Sequence, residues 1–251
     1  MIRITKPDPA PAKLAQGAAL TAANHAAYVV DPQNNGSRAN PFTFDKKIYG
    51  HSSVKRALRH IQHDKCCYCE GHFAAHAAGD VEHFRPKTRF TQSSGSPHEY
   101  PGYYWLAYEW ANLYYYVCER CNREGKRDLF PLADPATRAR RPSDPLAAET
   151  PMILDPGGTE NPRDHIRFHG ALPYGISDIG RETVKLLKLD RIELTTDRLK
   201  HLKMLESLRT IARLAIQGLE LERGQARREL ERAMRPEVAY SAMAQDFLAR
   251  T

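Results

Sequence analysis

No apolar run in this 251-residue chain approaches the ~18 residues that a membrane-spanning helix needs. The opening Met1-Ile2-Arg3-Ile4-Thr5-Lys6-Pro7 lacks the apolar core of a secretory signal. Both absences point to a cytoplasmic protein. Cysteine is scarce, at five residues, and four of the five fall in two Cys-x-x-Cys pairs, which fits metal binding in a reducing compartment better than a disulfide framework. The fifth, Cys67, reads as a packed thiol. Internal repeats are absent, which removes solenoids and propellers. Acid is in the minority: 37 Lys and Arg against 30 Asp and Glu give +7 and a pI near 9.2, a balance that favours a polyanionic partner without proving one.

The pairs themselves, Cys66/Cys69 and Cys118/Cys121, carry the strongest signal. Each offers two thiolates on one tight turn, and four thiolates satisfy a closed tetrahedral Zn²⁺ site. Such a site has no open position, so zinc here is a staple and the chemistry falls to the residues it holds together. Between and beside the pairs lie Glu82-His83, Asn112 and Asn122. His72 and His76, four apart, are the substitute ligands if one cysteine does not bind. Each of the remaining histidines is more readily structural or solvated.

The run Val81-Glu82-His83-Phe84-Arg85-Pro86-Lys87, then Asn112-Leu113, then Cys118-Glu119-Arg120-Cys121-Asn122 with Lys126, resembles the HNH endonuclease family with its zinc-binding cysteine pairs. Tyr103 to Trp110, Phe130-Pro131-Leu132, Leu154-Asp155-Pro156 and Leu187-Lys188-Leu189-Asp190-Arg191 are similar to its PtuB-like branch, so the likeness extends over most of residues 50–200. Asp155-Pro156 departs from the Asn-Pro usual there. The resemblance implies an α+β, mainly α fold, in which a zinc-stapled HNH (ββα-metal) nuclease module carries helical N- and C-terminal additions. It implies an effector of Septu-type or retron-linked anti-phage defence, working beside an ATPase subunit of the PtuA type. It also implies that Asn112 orients the base-bearing loop through backbone hydrogen bonds.

Phosphodiester hydrolysis needs an activated water and neutralisation of the charge that builds on phosphorus and the leaving oxygen. A neutral imidazole suits the first task, and His83 is the expected general base. Glu82 and the Asn122 amide oxygen are the hard ligands expected to hold Mg²⁺ or Mn²⁺. Asp80 is a second acid able to assist or replace Glu82. Neighbours on a strand face opposite ways, so Glu82 and His83 serve one site only if the strand ends or bends there, which Pro86 favours. Arg85, Lys87, Arg123 and Lys126 are the expected substrate cations, though any one of them alone is more readily a solvated surface residue. DNA is the favoured substrate. The alternatives are a tRNA nuclease with the same site, or a non-catalytic zinc-stabilised nucleic-acid-binding or adaptor module.

Three regions are expected. Residues 1–50 hold a Pro-rich arm, residues 1–15, that is extended or disordered on its own, and a helix from about Gly17 to Val29; the arm is a candidate for docking on a partner. Residues 51–135 are the nuclease module, with a helix capped by Ser53, a further helix from Tyr103 to Trp110, and Trp105 and Trp110 in the core. Residues 136–251 begin with an irregular connection, continue through a small strand pair within 152–175, and become helical from Asp178. There Leu199, Leu202, Leu205, Leu208, Ile211, Ala215 and Leu219 form one apolar stripe, more readily core packing than a partner face.

Overall fold

The computed structural model describes residues 1–72, 81–115 and 120–250, except for the side chains of residues 122–124. Cys118, His76 and Asp80 lie outside the described residues, as do the side chains of Asn122 and Arg123. The architecture is α+β and mainly helical. Its helices are α1 (Ala18–Val30), α2 (Lys46–Tyr49), α3 (Ser52–Ile61), α4 (Asp178–Leu186), α5 (Ile192–Arg213), α6 (Glu220–Ala233) and α7 (Ser241–Ala249). The strands are β1 (Val81–His83), β2 (Leu113–Tyr115), β3 (Ile166–His169) and β4 (Leu172–Gly175), paired antiparallel as β1–β2 and β3–β4. None of the described helices is long and apolar enough to cross a membrane.

The β1–β2 ribbon organises the site. Val81, Glu82 and His83 pair with Tyr115, Tyr114 and Leu113. Because side chains alternate along a strand, each pair shares a face. Leu113 and Tyr115, opposite His83 and Val81, join Leu14, Ile48, Tyr49, Val54, Leu58, Ala107 and Tyr108 in one apolar cluster. Tyr114, opposite Glu82, joins a larger cluster with Tyr68, Phe84, Phe130, Leu154 and the buried residues of α5 and α7. The ribbon is therefore a partition between two cores. Gln62, just past α3, takes the place of a third strand: its side-chain oxygen accepts from Tyr115 N at 2.9 Å, and its amide donates to Tyr115 O and to Lys65 O.

Several expectations need correction. α3 is capped by His51, whose ring nitrogen accepts from Ser53 N at 3.2 Å, so Ser53 lies inside the helix. The stretch 103–110 enters two 3-10 turns, Tyr104–Leu106 and Trp110–Asn112; Tyr103 N, just ahead of the first, donates to Pro86 O at 2.9 Å, and Ala107 N and Glu109 N, between them, donate back to Tyr104 O and Leu106 O. Trp105 is buried, but Trp110 is half-buried and donates to Pro7 O at 3.1 Å. The arm is not wholly extended: Ala12–Gly17 forms a 3-10 turn ahead of α1. Nor does the arm stand apart, since Met1 and Ile4 are core residues and Ile4 N donates to Pro156 O at 2.7 Å. The single stripe from Leu199 to Leu219 is broken. α5 stops at Arg213, Leu202 and Leu205 are buried, and Leu199 and Ile211 are exposed.

The C-terminal helices are anchored on the first cysteine loop. Glu70, buried just after Cys69, accepts from Ser241 Oγ at 2.8 Å and Ala242 N at 3.3 Å, capping α7. The Met1 ammonium lies 2.7 Å from the other oxygen of the same carboxylate. At the far end of α7, Asp246 takes a two-pronged contact from Arg163 and accepts from Phe168 N, fixing the helix to β3.

Candidate active site and metal centre

Cys66, Cys69 and Cys121 are buried, and their sulfurs lie within 4.8 Å of one another. A tetrahedral zinc with Zn–S near 2.3 Å sets its sulfurs about 3.8 Å apart, so three of the four expected ligands are already gathered at metal-binding range. The loop that gathers the first two is closed by Cys66 N donating to Gly71 O and Glu70 N donating to Cys66 O, each at 3.0 Å. His72 is exposed, with Nδ1 at 3.3 Å from Asp64 O, and is not one of this group. Cys67 is a buried thiol, and burial pushes its pKa up, so it keeps its proton. Cations surround the cluster. Arg191 Nη1 lies 3.5 Å from Cys121 Sγ, and the enclosed Arg198 donates to Leu189 O at 2.6 Å while feeling the charge of Cys69 and Cys121. Neither arginine has a role in the sequence reading: Arg191 stands only as part of the block 187–191, and Arg198 has no local signal.

Cys121 stands in a π-helical segment, Arg120–Lys126, that follows β2 in the chain. This segment brings Lys126 to the ribbon. Lys126 is fully enclosed, donating to Glu82 Oε1 at 2.6 Å and to His83 O at 2.9 Å. The expected substrate cation is thus the ion-pair partner of the expected metal ligand. Glu82 and His83 project to opposite faces, as strand geometry requires: Glu82 toward Lys126, and His83 toward α2 and the turn at Ala107.

His83 is buried and has its Nε2 2.9 Å from Ala107 O. A carbonyl only accepts, so Nε2 carries the proton and Nδ1 keeps its lone pair. Tyr49 packs edge-on to the imidazole at 4.8 Å between ring centres. Burial, with Lys87 and Lys126 adding like charge, holds the imidazolium pKa well below the ordinary histidine value, so the ring is neutral at neutral pH. Asn112 fastens the chain just past His83. Its Oδ1 accepts from Arg85 N at 2.7 Å, its Nδ2 donates to Arg85 O and Leu106 O at 3.1 Å each, and its own carbonyl accepts from Phe84 N at 2.9 Å.

The other expected substrate cations are partly engaged. Arg85 Nε reaches Glu149 Oε2 at 2.9 Å, and Glu149 in turn accepts from Tyr103 and Ala139 N. Lys87 lies 5.0 Å from the centre of the Tyr49 ring and 5.6 Å from that of Phe44. Its burial lowers the ammonium pKa, opposed by the Glu82 carboxylate.

The thiols fit a structural zinc. At the catalytic position the described residues supply one carboxylate, already paired with Lys126, and that alone does not make a divalent-ion site. No family model matches the chain. Over 177 residues it is 34% identical to the Septu protein PtuB of Bacillus mycoides (strain KBAB4), a match covering 68% of this chain and 59% of that protein.

Proposed function

We propose that this chain is a PtuB-like defence protein acting as an HNH-type endonuclease, with DNA as its favoured substrate and an ATPase subunit of the PtuA type as its partner. The observation that carries the nuclease reading is His83, a neutral imidazole at the end of β1 with its proton fixed on Nε2 by Ala107 O and Asn112 bracing the next residues. In this reading Nδ1 removes a proton from the water that attacks phosphorus, and Asn112 holds the turn so that the ring keeps its orientation. Arg85 and Lys87 neutralise phosphate charge, and zinc staples the loops bearing Cys66, Cys69, Cys118 and Cys121. Glu82 and Asn122 are the residues that would hold a Mg²⁺ or Mn²⁺ ion, which would supply positive charge at the phosphoryl oxygens; because Glu82 is paired with Lys126 and faces away from His83, no step of the reaction at His83 passes through that ion. The defence role and the ATPase partner rest on the similarity to PtuB, of which this chain spans 59%.

One observation favours the non-catalytic adaptor reading: the Glu82 carboxylate is held by Lys126. The His83→Ala variant separates the two. Turnover on plasmid DNA should fall by about 10²–10⁴-fold, with circular dichroism and DNA binding retained. Cleavage at the parent rate would remove His83 from the chemistry. A parent protein that binds DNA but cuts neither DNA nor tRNA would favour the adaptor.

A further inference from the structure

A cavity of about 620 Å³ opens between the loop carrying Arg89 to His98, the end of the π-helical segment, and the last turn of α4. Among the described residues its charged lining is Arg89, Lys126, Arg127, Lys185 and Lys188 against a single carboxylate, Asp128. That carboxylate is engaged, at 2.7 Å from Arg89 Nε and 3.5 Å from His98 Nε2. Lys185 meets Glu182 at 3.6 Å, an exposed contact one turn apart that restrains it little. The remaining wall mixes Thr91, Ser94 and Ser96, whose hydroxyls contact phosphate oxygens readily, with Gly95, Gly125, Leu129 and Leu186. No Phe, Tyr or Trp among the described residues lines it, so these walls offer no broad platform for base stacking.

The walls are fixed to each other. Gly125 has no side chain where a Cβ would lie 3.1 Å from Leu186 O and 3.2 Å from Leu187 Cα, so the π-helical segment and the end of α4 touch through backbone. Arg120 to Glu193, at 3.2 Å, and Arg191 to Cys121, at 3.5 Å, tie the π-helical segment to the start of α5 as well. Lys126 belongs both to the cavity and, through Nζ, to Glu82 and the His83 carbonyl.

We infer that this cleft is a track for the sugar–phosphate backbone of DNA, running from the Glu82–Lys126 pair out over Lys185 and Lys188. The inference rests on the nuclease reading above and extends it to a surface built by the C-terminal region. Because the track touches phosphate and not bases, it contributes affinity and register without sequence preference.

The test uses the full chain carrying His83→Ala, so that binding is read apart from cleavage. Affinity for a labelled DNA duplex is measured by fluorescence anisotropy across a salt series, with and without Lys185→Ala/Lys188→Ala. Each lysine lost from a phosphate contact reduces the slope of log K against log salt by about 1, so the double variant should lose about 2. A control pair on α5, Lys200→Ala/Lys203→Ala, should leave the slope alone. In the otherwise intact protein, Lys185→Ala/Lys188→Ala should raise KM with kcat unchanged. An unchanged slope and KM in a normally folded double variant overturns the track and leaves the nuclease reading standing. A slope that drops in a protein that cuts nothing leaves the track and defeats the nuclease. A drop seen only with an RNA duplex overturns the assignment to DNA.

Discussion

Replacing Lys126 by Met keeps the length of the side chain and removes its charge. In the parent, Nζ is fully enclosed and donates to Glu82 Oε1 at 2.6 Å and His83 O at 2.9 Å, while the Glu82 side chain is 12% exposed. An exposed ion pair is worth at most about 1 kcal/mol, but breaking a buried one strands a desolvated charge and costs about 3–5 kcal/mol. For a chain of this size each kcal/mol moves Tm by about 2–4 °C, so the variant should melt roughly 6–20 °C below the parent. The double variant Lys126→Met/Glu82→Gln should recover much of that loss, because no carboxylate is left without a partner. Magnesium provides a further arm. With Lys126 gone, a divalent ion binding at Glu82 meets no competing cation, and a hundredfold excess over Kd stabilises by about 2.7 kcal/mol. Mg²⁺ should therefore raise the melting temperature of the single variant more than that of the parent. A loss under about 1 kcal/mol, or a double variant no more stable than the single, would refute the buried-pair argument. Equal Mg²⁺ shifts in parent and variant would remove Glu82 from the metal ligands.

Mild EDTA should abolish cleavage and Mg²⁺ restore it, while zinc measured by mass spectrometry stays near one per chain, since thiolate-bound zinc is held far more tightly than an ion on a carboxylate and an amide. Cys121→Ser should unfold the module, seen as lost near-ultraviolet dichroism; a folded, zinc-free variant would reject the ligand assignment. Stability should fall with pH below about 6.5: the unfolded histidine takes a proton there, while buried His83, its pKa depressed, stays neutral, so the unfolded state binds more protons. Urea titrations of His83→Phe should show a shallower acid decline than the parent. Glu70, which burial pushes up but the Met1 ammonium and Lys65 pull down to about 2, gives stability that is full above the ordinary carboxylate range and is lost as pH falls through about 2. Glu70→Gln should accordingly expose the amides of α7 to hydrogen exchange.

How far the sequence could be read depends on the distance over which each signal acts. The cysteine pairs were legible because two thiols on one turn announce a shared ligand, and Cys66, Cys69 and Cys121 do converge. A strand pair within 152–175 and a helical course from Asp178 were legible, though not from the features that form them: Gly170, at φ +57, turns β3 into β4, and Ser177 caps α4 by accepting from Gly180 N. Where tertiary contacts override local preference, the reading failed. Tyr103 to Trp110 looks helical, yet Tyr103, Tyr104, Trp105, Ala107 and Tyr108 are buried and an α-helical course would spread them around a cylinder; tight 3-10 turns instead place them in two cores at once. The stripe after Leu199 failed because Gly218, at φ +87, lies in a turn that separates α5 from α6. The Lys126–Glu82 pair had no local signal. The residues stand 44 apart, and an ion pair leaves no periodic trace. Yet that pair sets the next question about the site. Lysine and a divalent ion want the same carboxylate, so a strand entering the cleft that drew Lys126 toward phosphate would free Glu82 at the moment substrate arrives. Adding DNA to His83→Ala should then tighten Mg²⁺ binding, and by linkage Mg²⁺ should tighten DNA binding by the same factor. Independent binding of the two would show that Lys126 never leaves Glu82.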